Sequence, residues 1–174
     1  VHGLDGEGDW TAEDGAIALD TGSSADVPVV SEDFPLCINE FMPSNVSAFA
    51  IEEGSNPDWI ELHNPTDTDV PLDRWYLSDN RDDPVKHMLD GGLVVASEGF
   101  ILLFADSQPE LGPEHLSFSL DAGGEDIVLQ SPTGEVSMVG YGAVADDLSA
   151  ARVTDCCEGS GCWTFVANGS PGLT

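Results

Sequence analysis

Residues 59–65 read Trp59-Ile60-Glu61-Leu62-His63-Asn64-Pro65, and after a polar turn the chain continues Trp75-Tyr76-Leu77-Ser78-Asp79. In the first run apolar Ile60 and Leu62 alternate with polar Glu61 and His63, the period of a half-buried strand. Asn64-Pro65 ends it, because proline has no N–H to give to a ladder. The second run is a short aromatic strand closed by Ser78-Asp79-Asn80. Two such strands joined by a turn are the unit of a β-sandwich.

The same pattern extends outward on both sides. Strands are expected at 36–42, 59–63, 70–72, 75–77, 85–89, 99–105, 116–120, 126–130, 136–141 and 163–165. Turn signals separate them, among them Asp90-Gly91-Gly92, Ala122-Gly123-Gly124 and Ser131-Pro132-Thr133-Gly134. Many short strands with no helix-period segment define an all-β, sandwich-type domain over residues 35–174. Residues 1–34 are rich in Gly, Asp, Glu, Ala, Ser and Thr without a sustained period. They are expected to form a flexible acidic tether, since they offer little apolar surface to offset the entropy of ordering.

The chain has 174 residues, with 4 Lys and Arg against 33 Asp and Glu, for a formal charge of -29. That balance opposes nucleic-acid binding, which needs cations to displace phosphate counterions. It equally opposes docking on anionic lipid. Solubility, divalent cations or a saline medium suit it better. The longest apolar run, Phe100 to Ala105, is strand-sized and far short of the ~18 residues of a membrane span. No charged apolar leader follows Val1, so a targeting segment, if one existed, is expected to have been removed.

Four cysteines, Cys37, Cys156, Cys157 and Cys162, have no Cys-x-x-Cys knuckle of the kind that binds zinc. Disulfides in an oxidising, extracytoplasmic compartment fit them better. Adjacent Cys156 and Cys157 cannot readily bond each other. Cys37 is therefore expected to pair with one of them, and Cys162 with the other.

The ordered motifs resemble the lamin-tail domain, a compact immunoglobulin-like β-sandwich found in nuclear lamins and in many secreted or surface bacterial proteins. The pieces that carry the resemblance begin with Ile38-Asn39-Glu40-Phe41, Asp58 to Asn64 and Val70 to Asp79. Phe118 to Glu125, Val139-Gly140-Tyr141-Gly142, Ala151 to Asp155 and the closing Ser170-Pro171-Gly172 complete the order. Opposite charge to a chromatin-contacting tail, and the cysteine cluster, point to the bacterial, extracytoplasmic branch. The resemblance implies an accessory module with no catalytic residues to carry over, and a protein or cell-envelope partner. A noncatalytic binding, scaffolding or adhesion role is therefore expected.

Three further chemistries are conceivable from these residue types. Asp79-Asn80-Arg81-Asp82-Asp83 clusters oxygen donors, making Asp79, Asp82 and Asp83 weak calcium candidates, but the loop lacks the order of an EF-hand and contains Arg81. Glu40, Asp58, Glu61 and Asp79 are carboxylates that could gather near a sheet edge. Trp59, Trp75, Tyr76 and Trp163 could stack on a glycan, although such residues more often fill a core. His63 and His87 read as strand-surface residues. Finally, Asp20-Thr21-Gly22 follows an apolar run as in aspartic proteases. That chemistry needs a second aspartate, which only a homodimer could supply here. No organic cofactor is implied.

Mutual repulsion of so many carboxylates should weaken the fold at low ionic strength. The melting temperature is expected to rise with sodium chloride; a flat response would mean that the charges are locally paired.

Overall fold

The computed structural model describes residues 34–51, 54–159, 161–169 and 171–172. The expected tether lies outside the described residues except for Phe34, and so does the Asp20-Thr21-Gly22 triplet. The strands are β1 (Cys37–Met42), β2 (Asp58–His63), β3 (Val70–Pro71), β4 (Trp75–Ser78), β5 (His87–Leu89) and β6 (Val94–Val95), then β7 (Phe100–Ala105), β8 (Asp126–Gln130), β9 (Val136–Gly140), β10 (Leu148–Arg152) and β11 (Trp163–Ala167). One antiparallel sheet runs β11-β10-β1-β2-β7, a second runs β5-β4-β8-β9, and β3 pairs with β6. The fold is an all-β, immunoglobulin-like sandwich. β10 and β11 complete the sheet that contains β1.

Period-2 alternation builds the core. Phe41, Ile60, Leu62, Leu103 and Ala150 from the five-stranded sheet meet Trp75, Leu77, Ile127, Leu129 and Val139 from the four-stranded one in a single buried cluster. Phe34 belongs to this cluster, its ring edge-on to Trp75 at 5.2 Å. The β1–β2 register shifts between Ile38 and Glu40. Asn39 is the extra residue of a bulge, which lets both Ile38 and Phe41 face inward.

Three elements differ from the expectation. The first is β6, which no expected strand covers and which pairs with β3. Residues 116–120 form no strand, although Leu116, Phe118 and Leu120 are buried in alternation. Only single bridges, Phe104 with His115 and Asp106 with Ser119, tie this segment to the rim of β7. Alternation there reports which side chains are buried and not whether a ladder forms. Conversely, β10 was not expected. Its Ser149, Ala150 and Ala151 carry weak strand propensity, yet the strand is held centrally between β1 and β11.

Disulfides link Cys37 to Cys156 and Cys157 to Cys162. The first ties the start of β1 to the loop after β10. The second closes the turn that leads into β11. On the chain-entropy model the long loop is worth about 5 kcal/mol and the short one about 2 kcal/mol. Denaturant unfolding of Cys37→Ser/Cys156→Ser and of Cys157→Ser/Cys162→Ser should reproduce that order of loss. The reverse order would show that the short bridge stabilises by another route.

Candidate functional site

A cleft of about 400 Å³ opens at one end of the sandwich between the loop after β1 and the segment before β8. Pro43, Ser44, Asn45 and Val46 form one wall, Ser119, Leu120, Asp121 and Ala122 the other, and Asp58 at the start of β2 the base. Among the described residues no Lys or Arg lines it.

Both walls are held from behind. The Asn45 amide nitrogen donates to Phe49 O and Pro57 O at 2.6 and 2.8 Å, and its oxygen accepts from the Phe49 N–H. The Asn45 backbone N–H donates to Asp58 Oδ1 at 2.9 Å. Asp147 gathers the next turn, accepting from the N–H groups of Val46, Ser47 and Ala48 and from the Ser47 hydroxyl. These bonds, led by that of the Ser47 hydroxyl, hold its carboxyl below the ordinary value. Ser44 Oγ donates to Asp146 Oδ1 at 2.7 Å.

On the opposite wall Asp121 Oδ1 accepts from Gly123 N–H at 2.7 Å, an Asx turn. Glu125 Oε1 accepts both the Asp121 N–H and the Tyr141 hydroxyl. Gly124, at φ +110°, passes so close to Tyr141 that a Cβ would sit 2.5 Å from its carbonyl oxygen, so only glycine fits. Burial raises the Asp58 carboxyl above its ordinary value, partly offset by the Asn45 amide. Burial raises Glu125 too, against its bonds from Asp121 and Tyr141, and raises the Tyr141 phenol, with Glu125 adding to the effect.

A second carboxylate group lies on the outer face of the five-stranded sheet. Glu40 and Glu61 are cross-strand partners, at 0% and 1% exposure. Glu61 Oε1 accepts from the Asn39 side-chain amide at 3.1 Å, and Oε2 accepts from the Gly172 N–H. Ser149 Oγ donates to Glu40 Oε1 at 2.5 Å. Asn39 also donates to Asp155 and accepts from the Cys156 N–H. Gly169 lies directly over Trp59 and Met42. Residues near the C-terminus thus cover this face, which makes Glu61 a structural anchor. Burial raises its carboxyl above the ordinary value. The bonds from Asn39 and Gly172 oppose that rise, while the charges of Glu40 and Asp155 add to it.

The four carboxylates that could have gathered are therefore divided. Glu40 and Glu61 sit together under cover, Asp58 lies in the cleft, and Asp79 is on the other sheet, ion-paired with Lys86 at 2.6 Å. In the calcium-candidate loop Arg81 forks onto Asp126 and the Asp82 N–H donates to Asn80 Oδ1, while the Asp82 and Asp83 side chains are exposed. Among the described residues no three His, Cys, Asp or Glu side chains converge as a metal requires. Trp59 and Trp75 are buried on different sheets, and Trp163 stacks under Arg152 at 4.6 Å, so these rings share no platform. Burial also lowers the Arg152 guanidinium, to about 10. His63 is buried and not at the surface, stacked on Phe100 at 4.2 Å.

Of the cleft residues, only Asp58 is among the carboxylates expected from the sequence to gather at a sheet edge. The Asp121-Ala122-Gly123-Gly124-Glu125 turn carried a local signal for the far wall; Asn45 carried none.

Fold, disulfides and covered glutamates together define an immunoglobulin-like module with an acidic cleft at one end. Residues 31–143 match the Lamin Tail Domain. The chain belongs to that family. Neither the curated proteins nor the solved structures contain a match to it.

Because the fold raises the Glu61 carboxyl, folding favours its protonated form. The resulting stability is present below the unfolded-state value of about 4.3 and is lost as pH rises through the folded-state value. Wild type should therefore gain stability relative to Glu61→Gln as pH falls from neutral through the raised folded-state value towards the unfolded-state one. A difference independent of pH, measured by denaturant unfolding, would show that Glu61 does not titrate across the folding transition.

Proposed function

We propose that this lamin tail domain is a noncatalytic binding module of a secreted or cell-surface bacterial protein, and that it docks a protein or cell-envelope partner. The observation that carries the reading is the pre-formed acidic cleft. Its walls are fixed by backbone and side-chain hydrogen bonds before any partner arrives, which reduces the ordering cost of binding. Two disulfides suit an oxidising environment outside the cytoplasm, and no helix among the described residues is long and apolar enough to cross a membrane. The formal charge of -29 favours a partner of opposite sign and speeds its encounter.

Cross-linking the oxidised chain to intact cell-envelope material of its source should give discrete adducts that excess unlabelled chain competes away. Absence of any saturable adduct would defeat the binding-module reading.

A further inference from the structure

The two carboxylates of the cleft would by themselves specify no ligand, but the surfaces beside them narrow the choice. Pro43, Val46, Leu120 and Ala122 give the cleft an apolar lining next to Asp58 and Asp121. Val46 is 56% exposed, an apolar side chain left in water at the rim of a strongly acidic protein. Asp58 and Asp121 each use Oδ1 on a backbone N–H, and no hydrogen bond to Oδ2 of either forms among the described residues. The cleft therefore offers open acceptors at one place and an aliphatic surface at another. That combination complements a Lys or Arg side chain, whose methylene stem packs on apolar surface while its head stays charged.

Resting on the binding-module reading, we propose that the cleft receives a lysine or arginine side chain of a partner protein. The stem lies along Val46 and Leu120, and the cationic head meets Asp58 and Asp121. A bare calcium ion is a poorer fit, since it takes about six to eight oxygens at roughly 2.3–2.6 Å. Such a convergence of carboxylates is not found among the described residues. Burial raises the Asp58 carboxyl, and a cation in the site offsets that cost by favouring the charged form. The partner's charge is also the sign that the field of the whole chain attracts.

The test titrates the full oxidised chain with a short lysine-bearing peptide, followed by backbone amide shifts. A norleucine version of the same peptide serves as the uncharged control. Shifts are expected at Asn45, Val46, Asp121 and Ala122 with the lysine peptide only. Asp58→Asn/Asp121→Asn should weaken binding about tenfold, the scale of a charge-assisted contact. Asp82→Asn/Asp83→Asn, the same change in charge on a loop that does not line the cleft, should leave affinity unchanged. Ala122→Trp fills the cleft without altering charge and should abolish the shifts. It also keeps the test decisive if the double aspartate variant fails to fold. Equal weakening by both double variants, or normal binding to Ala122→Trp, would reduce the effect to diffuse attraction and overturn the proposal. Larger shifts of the same amides with calcium at matched ionic strength would assign the cleft to a metal instead. Saturable envelope adducts that survive Asp58→Asn/Asp121→Asn would refute the cleft while leaving the binding-module reading intact.

Discussion

The bulge at Asn39 is the constraint on which the rest of this sandwich depends. By inserting one residue between Ile38 and Glu40 it keeps Ile38 and Phe41 in the core and sets Glu40 beside Glu61 on the opposite face. The extra residue is then bonded on every side. Its amide reaches Glu61 and Asp155, and its oxygen accepts from Cys156, whose sulfur is bonded to Cys37 at the start of the same strand. Five segments distant in sequence meet there: β1, β2, β10 through Ser149, the Asp155-Cys156 loop, and the C-terminal Gly172. Buried carboxylates are costly unless fully hydrogen-bonded, so this cluster stands or falls as a unit.

The anchored face and the open cleft use the same residue type in opposite ways. Glu61 is covered and accepts hydrogen bonds at both oxygens, which makes it part of the architecture. Asp58 lies only three residues earlier on the same strand, at the open end, with one oxygen engaged by Asn45. The distinction is one of exposure. A buried carboxylate bonded to Gly172 cannot greet a ligand, whereas one that lines an open cleft can. Rigid scaffolding behind the cleft and acceptors in front of it are the division of labour expected of a binding module.

The pairing of basic residues sharpens this contrast. Lys86 is bound to Asp79, Arg81 to Asp126, and Arg152 to the Ile38 carbonyl and the Trp163 ring. Three of the four cations in the chain are thus engaged away from the cleft. Among the described residues neither these nor the fourth, Arg74, lines the cleft, and this favours a cation supplied from outside.

Much of the fold was legible in the letters. Alternation in Trp59–His63 identified β2 and its inward face, and the ordered motifs from Ile38 onward indicated the family. Adjacency of Cys156 and Cys157 left two pairings for Cys37, and the position of Cys156 beside Asn39 selected one of them. What period-2 patterning encodes is which side chains share one apolar face, a property of the local sequence; Glu61 and His63, on the polar face of β2, are buried all the same. The pattern did not encode whether Leu116–Leu120 would find a ladder partner, nor that the small residues of β10 would sit between β1 and β11. The cleft was the least legible part. Asn45, Asp58 and Asp121 are separated by long stretches of sequence, and only the register of β1 on β2 and the path of the chain into β8 bring them together. Local chemistry, a strongly acidic surface and a sandwich were determined by the sequence itself. Which carboxylates are sealed and which stay open was decided by tertiary structure, because solvent access is a property of the packed chain and not of any segment of it.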